Sequence, residues 1–221
     1  MWITDARPRC ADDETKAVVV CFPPSGAGAS CFHGAFAATL GASGVKVLGV
    51  DVPGRFGSSH KAPWGGSLVG MAREIADELG CVLSGGDVPV CYFGHSVGSW
   101  LAYETAAVAS PAKLYASGAR APSLAHWLND LDEVNPRLSV LEGDAFWDAF
   151  NARYGENVNL SSSATRNAIL ESLVNDFRLS ENYEPSTARI ECDIVSIGTH
   201  DDCRYDAYQL GIWRHHTSST Y

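Results

Sequence analysis

A pentapeptide near the middle of the chain, Gly94-His95-Ser96-Val97-Gly98, has the residue types and spacing of an activated serine. It follows the apolar run Val88-Pro89-Val90-Cys91-Tyr92-Phe93 and precedes the helix-forming stretch Trp100-Leu101-Ala102-Tyr103-Glu104-Thr105-Ala106-Ala107. A serine hydroxyl is a poor nucleophile until a sharp strand-to-helix turn holds it. There the flanking glycines let the backbone bend tightly, and the helix N-terminus favours developing negative charge. The pentapeptide alone is a weak signal, because glycine-serine turns also join ordinary strands to helices. The strand before it and the helix after it supply the specificity. Ser96 is the expected nucleophile, and acyl transfer is the chemistry it would carry.

Acyl transfer from serine needs a base for the hydroxyl proton, an acid to orient that base, and two amide donors for the oxyanion. The amide of Val97 follows the nucleophile directly. The second donor is expected from the loop after an earlier strand, where Pro23-Pro24-Ser25-Gly26-Ala27-Gly28 places the backbone of Ser25. Such a loop could equally be a plain glycine-rich turn. For the acid, Ile194-Val195-Ser196-Ile197-Gly198-Thr199-His200-Asp201-Asp202 ends a strand in a turn carrying carboxylates, and Asp201 is preferred over Asp202. Either could instead cap the helix that follows. The base is harder to find. His33 and His60 precede the serine, His126 lies in a helical insert, and His95 and His200 adjoin the proposed catalytic residues. His215 and His216 follow the acid, but at a helix end, where a histidine commonly serves the terminal carbonyls.

These residues need a scaffold, and the hydrophobic pattern provides one. Ala17–Phe22 is a short, fully apolar, β-branched run that stops at Pro23-Pro24, and Val45-Lys46-Val47-Leu48-Gly49-Val50 behaves similarly before Asp51-Val52-Pro53-Gly54. Cys31–Leu40 is helix-like, and a second helix is expected over Ser67–Leu83 with Leu68, Met71, Ile75 and Leu79 on one face. The alternation continues through Val88–Phe93, the helix after Ser96, Lys113–Ser117, Ile190–Ile197 and a helix near Tyr205–Trp213. That is the pattern of an α/β protein with a doubly wound, mostly parallel sheet. Residues 123–176 interrupt it with helical material and are expected to form a lid within a single domain spanning 1–221. Its aromatic residues Phe146, Trp147, Phe150 and Tyr154 could pack together or line an acyl channel.

Composition bounds the function further. With 221 residues, 46% of them hydrophobic, the chain can bury a full core. The net charge of -10 and the absence of any lysine or arginine run argue against nucleic-acid binding. Seven cysteines is an odd number, and Cys21, Cys91 and Cys192 sit in or beside strand-like runs, as reduced core residues do. The N-terminal residues Met1–Arg7 show no apolar segment of signal length, and no membrane-length apolar run occurs, so the expected compartment is the cytoplasm.

Along nearly its whole length the chain resembles the type II thioesterases, the stand-alone editing hydrolases of polyketide and nonribosomal peptide assembly lines. The resemblance rests on Cys21–Gly28, Val52-Pro53-Gly54-Arg55, Phe93–Gly98, Ser117-Gly118-Ala119-Arg120-Ala121-Pro122, Arg153-Tyr154-Gly155, Asp176–Tyr183, and Cys192-Asp193-Ile194 leading to Asp201. It implies an α/β-hydrolase fold in which Ser96 takes an acyl group from a phosphopantetheine thiol. Asp201 then orients a histidine and water releases the acid, with no cofactor beyond the phosphopantetheine on the partner. The implied partners are acyl or peptidyl carrier protein domains. One departure stands out: the family's catalytic histidine lies in a Gly-His-Phe-like turn after one more strand. This sequence stops at Thr217-Ser218-Ser219-Thr220-Tyr221, where that strand would begin, and neither His215 nor His216 matches the family position. A shortened, non-catalytic carrier-binding homologue is therefore the main rival to the enzyme. A general serine esterase or acyltransferase is the third reading.

Overall fold

The computed structural model describes residues 1–6, 15–55, 57–59, 62–83, 88–126, 129, 137–186, 189–202 and 204–221. Strands β1 (Ile3–Asp5), β2 (Ala17–Phe22), β3 (Val45–Val50), β4 (Val90–His95), β5 (Lys113–Ser117) and β6 (Asp193–Ile197) form one sheet in the order β1-β3-β2-β4-β5-β6. All neighbours pair parallel except β1, which runs antiparallel to β3. β2 reads as an unbroken apolar run, and β3 as one broken only by Lys46 near its start, because central parallel strands are covered on both faces. Val20, Cys21, Phe22, Val47 and Val50 are all fully buried. The strand order reverses at β2, with β3 on one side and β4 on the other. In such a sheet the crevice beyond the carboxyl ends of the two central strands is where ligands bind, and both the Ser25 loop and Ser96 leave the sheet there.

Helices α1 (Ala35–Gly41), α2 (Leu68–Val82), α3 (Val97–Ala106), α4 (Gly143–Tyr154), α5 (Ser163–Glu181) and α6 (Ala207–Gly211) complete the fold. Ser67 caps α2, its hydroxyl accepting the Gly70 N–H at 3.1 Å. The stripe Leu68, Met71, Ile75 and Leu79 is buried as its spacing requires. Each of those side chains contributes about 1.5–3 kcal/mol relative to exposure. Every residue of α3 is buried, which accounts for its lack of a polar face. Between β5 and β6, α4 and α5 share a separate core of Leu138, Phe146, Trp147, Leu173 and Phe177. The expected insert also contains 127–128 and 130–136, outside the described residues, and α5 runs past residue 176 to Glu181.

The stretch Asp176–Tyr183 fastens the insert to the sheet domain. Asp176 pairs with Arg55, Glu181 accepts the Leu138 N–H at 2.7 Å, and the Tyr183 hydroxyl donates to the buried Glu104 of α3 at 2.5 Å. Tyr183 also stacks on Trp100, with ring centroids 5.3 Å apart.

Several expected boundaries moved. The Cys31–Leu40 helix is instead a 3-10 turn, Ala29–Phe32, followed by α1, because Gly34 at φ 68 breaks the first turn from the second. β4 begins at Val90 and reaches His95, since Gly94 and His95 stay in register with Ala116 and Ser117. β6 begins at Asp193, and the expected helix near Tyr205–Trp213 divides into α6 and a 3-10 turn, Ile212–His216. Beyond it Thr217 bridges Ile190 in parallel, and the Ile194 N–H donates to the Thr220 carbonyl at 3.0 Å. The last residues therefore lie along the outer edge of β6. No helix among the described residues is long and apolar enough to cross a membrane.

Candidate active site

Ser96 has φ 55 and ψ -128, and it is the one non-glycine residue with positive φ among the described residues. Such a backbone costs on the order of 1–3 kcal/mol and persists only where its surroundings impose it. The surroundings here are backbone. A Cβ on Gly94 would overlap the Gly98 carbonyl and the Ser99 Cα, and a Cβ on Gly98 would overlap the Phe22 carbonyl. The Ser96 N–H donates to the Ser117 carbonyl of β5 at 2.8 Å, and the Ser99 hydroxyl donates to the Gly94 carbonyl at 2.9 Å. Because α3 starts at Val97 and the Ser96 side chain makes no capping bond, the hydroxyl stands at the positive end of a helix without being consumed by it.

Ser25, Ser96 and Val97 line one small cavity of about 40 Å³, which Tyr154 of α4 and Phe177 of α5 also border. The geometry thus brings together the nucleophile candidate and the two residues expected to supply oxyanion amides. Phe146 and Trp147 do not reach this cavity. They lie buried in the core of the insert, with centroids 5.1 Å apart in an edge-on contact. Of the four aromatic residues for which packing and channel lining were both open, Tyr154 borders the cavity.

Asp201 is exposed in the turn after β6, whereas Asp202 is committed locally, its Oδ1 accepting the N–H groups of Arg204 at 2.8 Å and Tyr205 at 3.3 Å. No histidine among the described residues hydrogen-bonds Ser96. The Nδ1 of His95 lies 3.1 Å from the Ser117 hydroxyl, and its ring packs against Gly118. Desolvation on that inner side lowers its pKa and outweighs the opposing charge of Asp202, although the residue keeps exposed surface. His60 lies outside the described residues.

His216 faces Ser123, whose hydroxyl is 2.9 Å from its Nε2, and its ring meets Tyr103 and Trp213 edge-on. Desolvation first, then the charges of His215 and Arg189, bring its pKa down to about 4. The folded state therefore binds this proton less readily than the unfolded chain, whose histidine titrates near 6.5. Stability from this group is complete above about pH 6.5 and is lost as pH falls toward 4. After allowance for solvent around a partly exposed ring, the loss is about 1–2 kcal/mol. Urea midpoints at pH 7 and pH 4.5 should separate less for His216→Gln than for the unsubstituted protein. Equal separations would show that the imidazole does not titrate against folding.

Three buried arginines at the cavity were not anticipated as site residues: Arg120, Arg153 and Arg204. The Arg120 guanidinium donates to the Ala125 carbonyl at 3.0 Å and lies 5.8 Å from the ring centroids of both Trp100 and Tyr205. That of Arg204 lies 5.3 Å from Tyr154. Arg120 and Arg153 fall within motifs noted above, but their convergence from separate segments has no local signature. A larger apolar groove of about 340 Å³, bordered by Phe36, Leu40, Phe93 and Tyr115, opens on the sheet face that carries α1. Cys91 also borders it, and desolvation raises that thiol's pKa. Size alone would choose the groove, and chemistry chooses the Ser96 cavity.

A mostly parallel sheet flanked by helices, with a strained serine between a strand and a buried helix, defines an α/β-hydrolase fold. The chain belongs to the thioesterase domain family, whose model matches residues 17–220. The "Probable cadicidin biosynthesis thioesterase" of Streptomyces griseus is 29% identical over 230 residues, covering all of this chain and 58% of that protein. "Thioesterase PikA5" of Streptomyces venezuelae is 28% identical over 212 residues, covering 92% of this chain and 70% of its own length. The chain thus spans well under two thirds of the first of these relatives. Among solved structures, RedJ, a thioesterase from the prodiginine pathway of Streptomyces coelicolor, is 25% identical and superposes with a TM-score of 0.78 over 97% of this chain and 83% of that one. BorB, a type II thioesterase from the borrelidin cluster, shares the fold at 24% identity and a TM-score of 0.74, over 99% of this chain and 84% of that one.

Proposed function

We propose that this protein is a type II thioesterase that removes aberrant or stalled acyl groups from the phosphopantetheine arm of acyl or peptidyl carrier proteins. The observation that carries the reading is Ser96 at φ 55 at the N-terminus of α3, sharing a cavity with Ser25 and Val97, in a chain of the thioesterase domain family. In the proposed reaction the Ser96 Oγ attacks the thioester carbonyl carbon while a base takes its proton. The N–H groups of Val97 and Ser25 hold the resulting oxyanion, and collapse expels the phosphopantetheine thiolate, which is then protonated. Water repeats the attack on the acyl-serine, releasing the carboxylic acid and restoring Ser96. Asp201 is proposed to orient the histidine base, and residues 123–176 to act as the lid.

A second reading, a carrier-binding homologue without turnover, is favoured by one observation: no histidine among the described residues hydrogen-bonds Ser96. One experiment separates the two. The same acyl group is offered on a carrier protein and on a short soluble thiol, and the expected result is a higher kcat/KM for the carrier-borne substrate. Equal efficiency would point to a general esterase, and tight carrier binding without acid release would establish the second reading.

A further inference from the structure

The loop after β2 carries one of the two amides that the proposed chemistry needs, yet it has little internal restraint. Pro23 and Pro24 have no N–H to bond, Gly26 sits at φ 75, and the turn closes through Ala27 N–H to the Pro24 carbonyl at 3.1 Å. Its restraint comes from distant residues. Arg55 Nη1 donates to the carbonyls of Ala27 at 2.6 Å and Pro24 at 3.0 Å. Arg55 Nε pairs with Asp176 Oδ2 at 3.0 Å, the two side chains being 4% and 2% exposed. The same Oδ2 accepts the Gly26 N–H at 2.6 Å. Less than a turn earlier on α5, Leu173 lies 3.0 Å from where a Gly26 Cβ would stand, so the helix seats a side chain on the glycine.

A buried ion pair is weak evidence of stabilisation, because well-packed apolar residues of similar volume commonly do as well. Its bonding pattern is more informative than its charge. The guanidinium gathers the loop's carbonyls and the carboxylate gathers its amide, and together they fix the plane of the peptides on either side of Ser25. We propose that Arg55 and Asp176 are positioning residues that hold the Ser25 amide toward the Ser96 hydroxyl, and that the oxyanion site is complete only while α5 is seated on the loop. The proposal rests on the reading of Ser96 as nucleophile and Ser25 as donor.

The test uses Arg55→Lys, which keeps the charge but loses the planar fork, and the double variant Arg55→Met/Asp176→Leu, which removes the buried charges together. Two readouts are taken. One is amide hydrogen exchange across residues 23–28, with β2 as internal reference. The other is acylation of Ser96 by an activated aryl ester. In the folded double variant the Gly26 amide should exchange at least about 10-fold faster while β2 is unchanged, and kcat for acylation should fall about 10- to 100-fold with little change in KM. Arg55→Lys should show the same pattern more weakly, and it decides the matter if the double variant does not fold. Unchanged exchange in the loop, or acylation at the unsubstituted rate, would overturn the proposal. If the unsubstituted protein acylates too slowly to measure, the acylation arm is read in the C-terminally extended protein, where failure at Ser96 would count against the functional reading, and the exchange data still decide this one.

Discussion

Thioester turnover is expected to rise about 10³-fold or more when a strand and a Gly-His turn are appended after Tyr221, and Ser96→Ala in that longer protein is expected to return the rate to that of the 221 residues alone. The reason is that triad members act as a unit: a serine with no hydrogen-bonded base contributes little beyond what the oxyanion site and binding already provide, and no histidine among the described residues hydrogen-bonds Ser96. Here His95 is turned to Ser117 and His216 to Ser123. The melting temperature should rise too, because an added strand would satisfy backbone groups along the β6 edge that Thr217–Thr220 only begin to cover. Paired rate and melting measurements on the two lengths, each with and without Ser96→Ala, check this. Full activity in the 221 residues, abolished by His215→Ala or His216→Ala, would show that one of these histidines already serves as base.

The elbow's geometry makes a second strong demand. Gly98→Ala forces a methyl into the Phe22 and Pro23 carbonyls, backbone atoms that cannot rotate away, so α3 must retreat from β2. The expected cost is about 3 kcal/mol, lowering the melting temperature by roughly 6–12 °C for a chain of this size. Gly80→Ala is the matched control. It lies on the exposed face of α2 with nothing near its missing Cβ, and should be neutral or stabilising by about 0.5–1 kcal/mol. Equal melting temperatures for the two variants would refute the close approach of α3 to β2.

The parts of this molecule that were legible in its sequence are those whose cause is local. β2, β3 and β5 fall where their apolar runs lie, and α2 starts where Ser67 caps it. The Ser96 turn was legible because strand, glycines and helix are contiguous. β1 was missed: three residues, Ile3-Thr4-Asp5, are too few to show a period, and their pairing with β3 is set by distant register. Asp201 is preferred over Asp202 from the sequence, but what each carboxylate bonds is not written there. Only the fold shows that Asp202 is occupied by the Arg204 and Tyr205 amides. Arg55 and Asp176 each lay in a noted motif, but a contact across 121 positions leaves no mark in either neighbourhood.

The central claim, that Ser96 is the nucleophile, is tested most directly by a serine-directed fluorophosphonate applied to the C-terminally extended protein, with the adduct mapped by peptide mass. A single adduct on Ser96, absent from Ser96→Ala, is the expected result. An adduct on another residue, or equal labelling of Ser96→Ala, would contradict it.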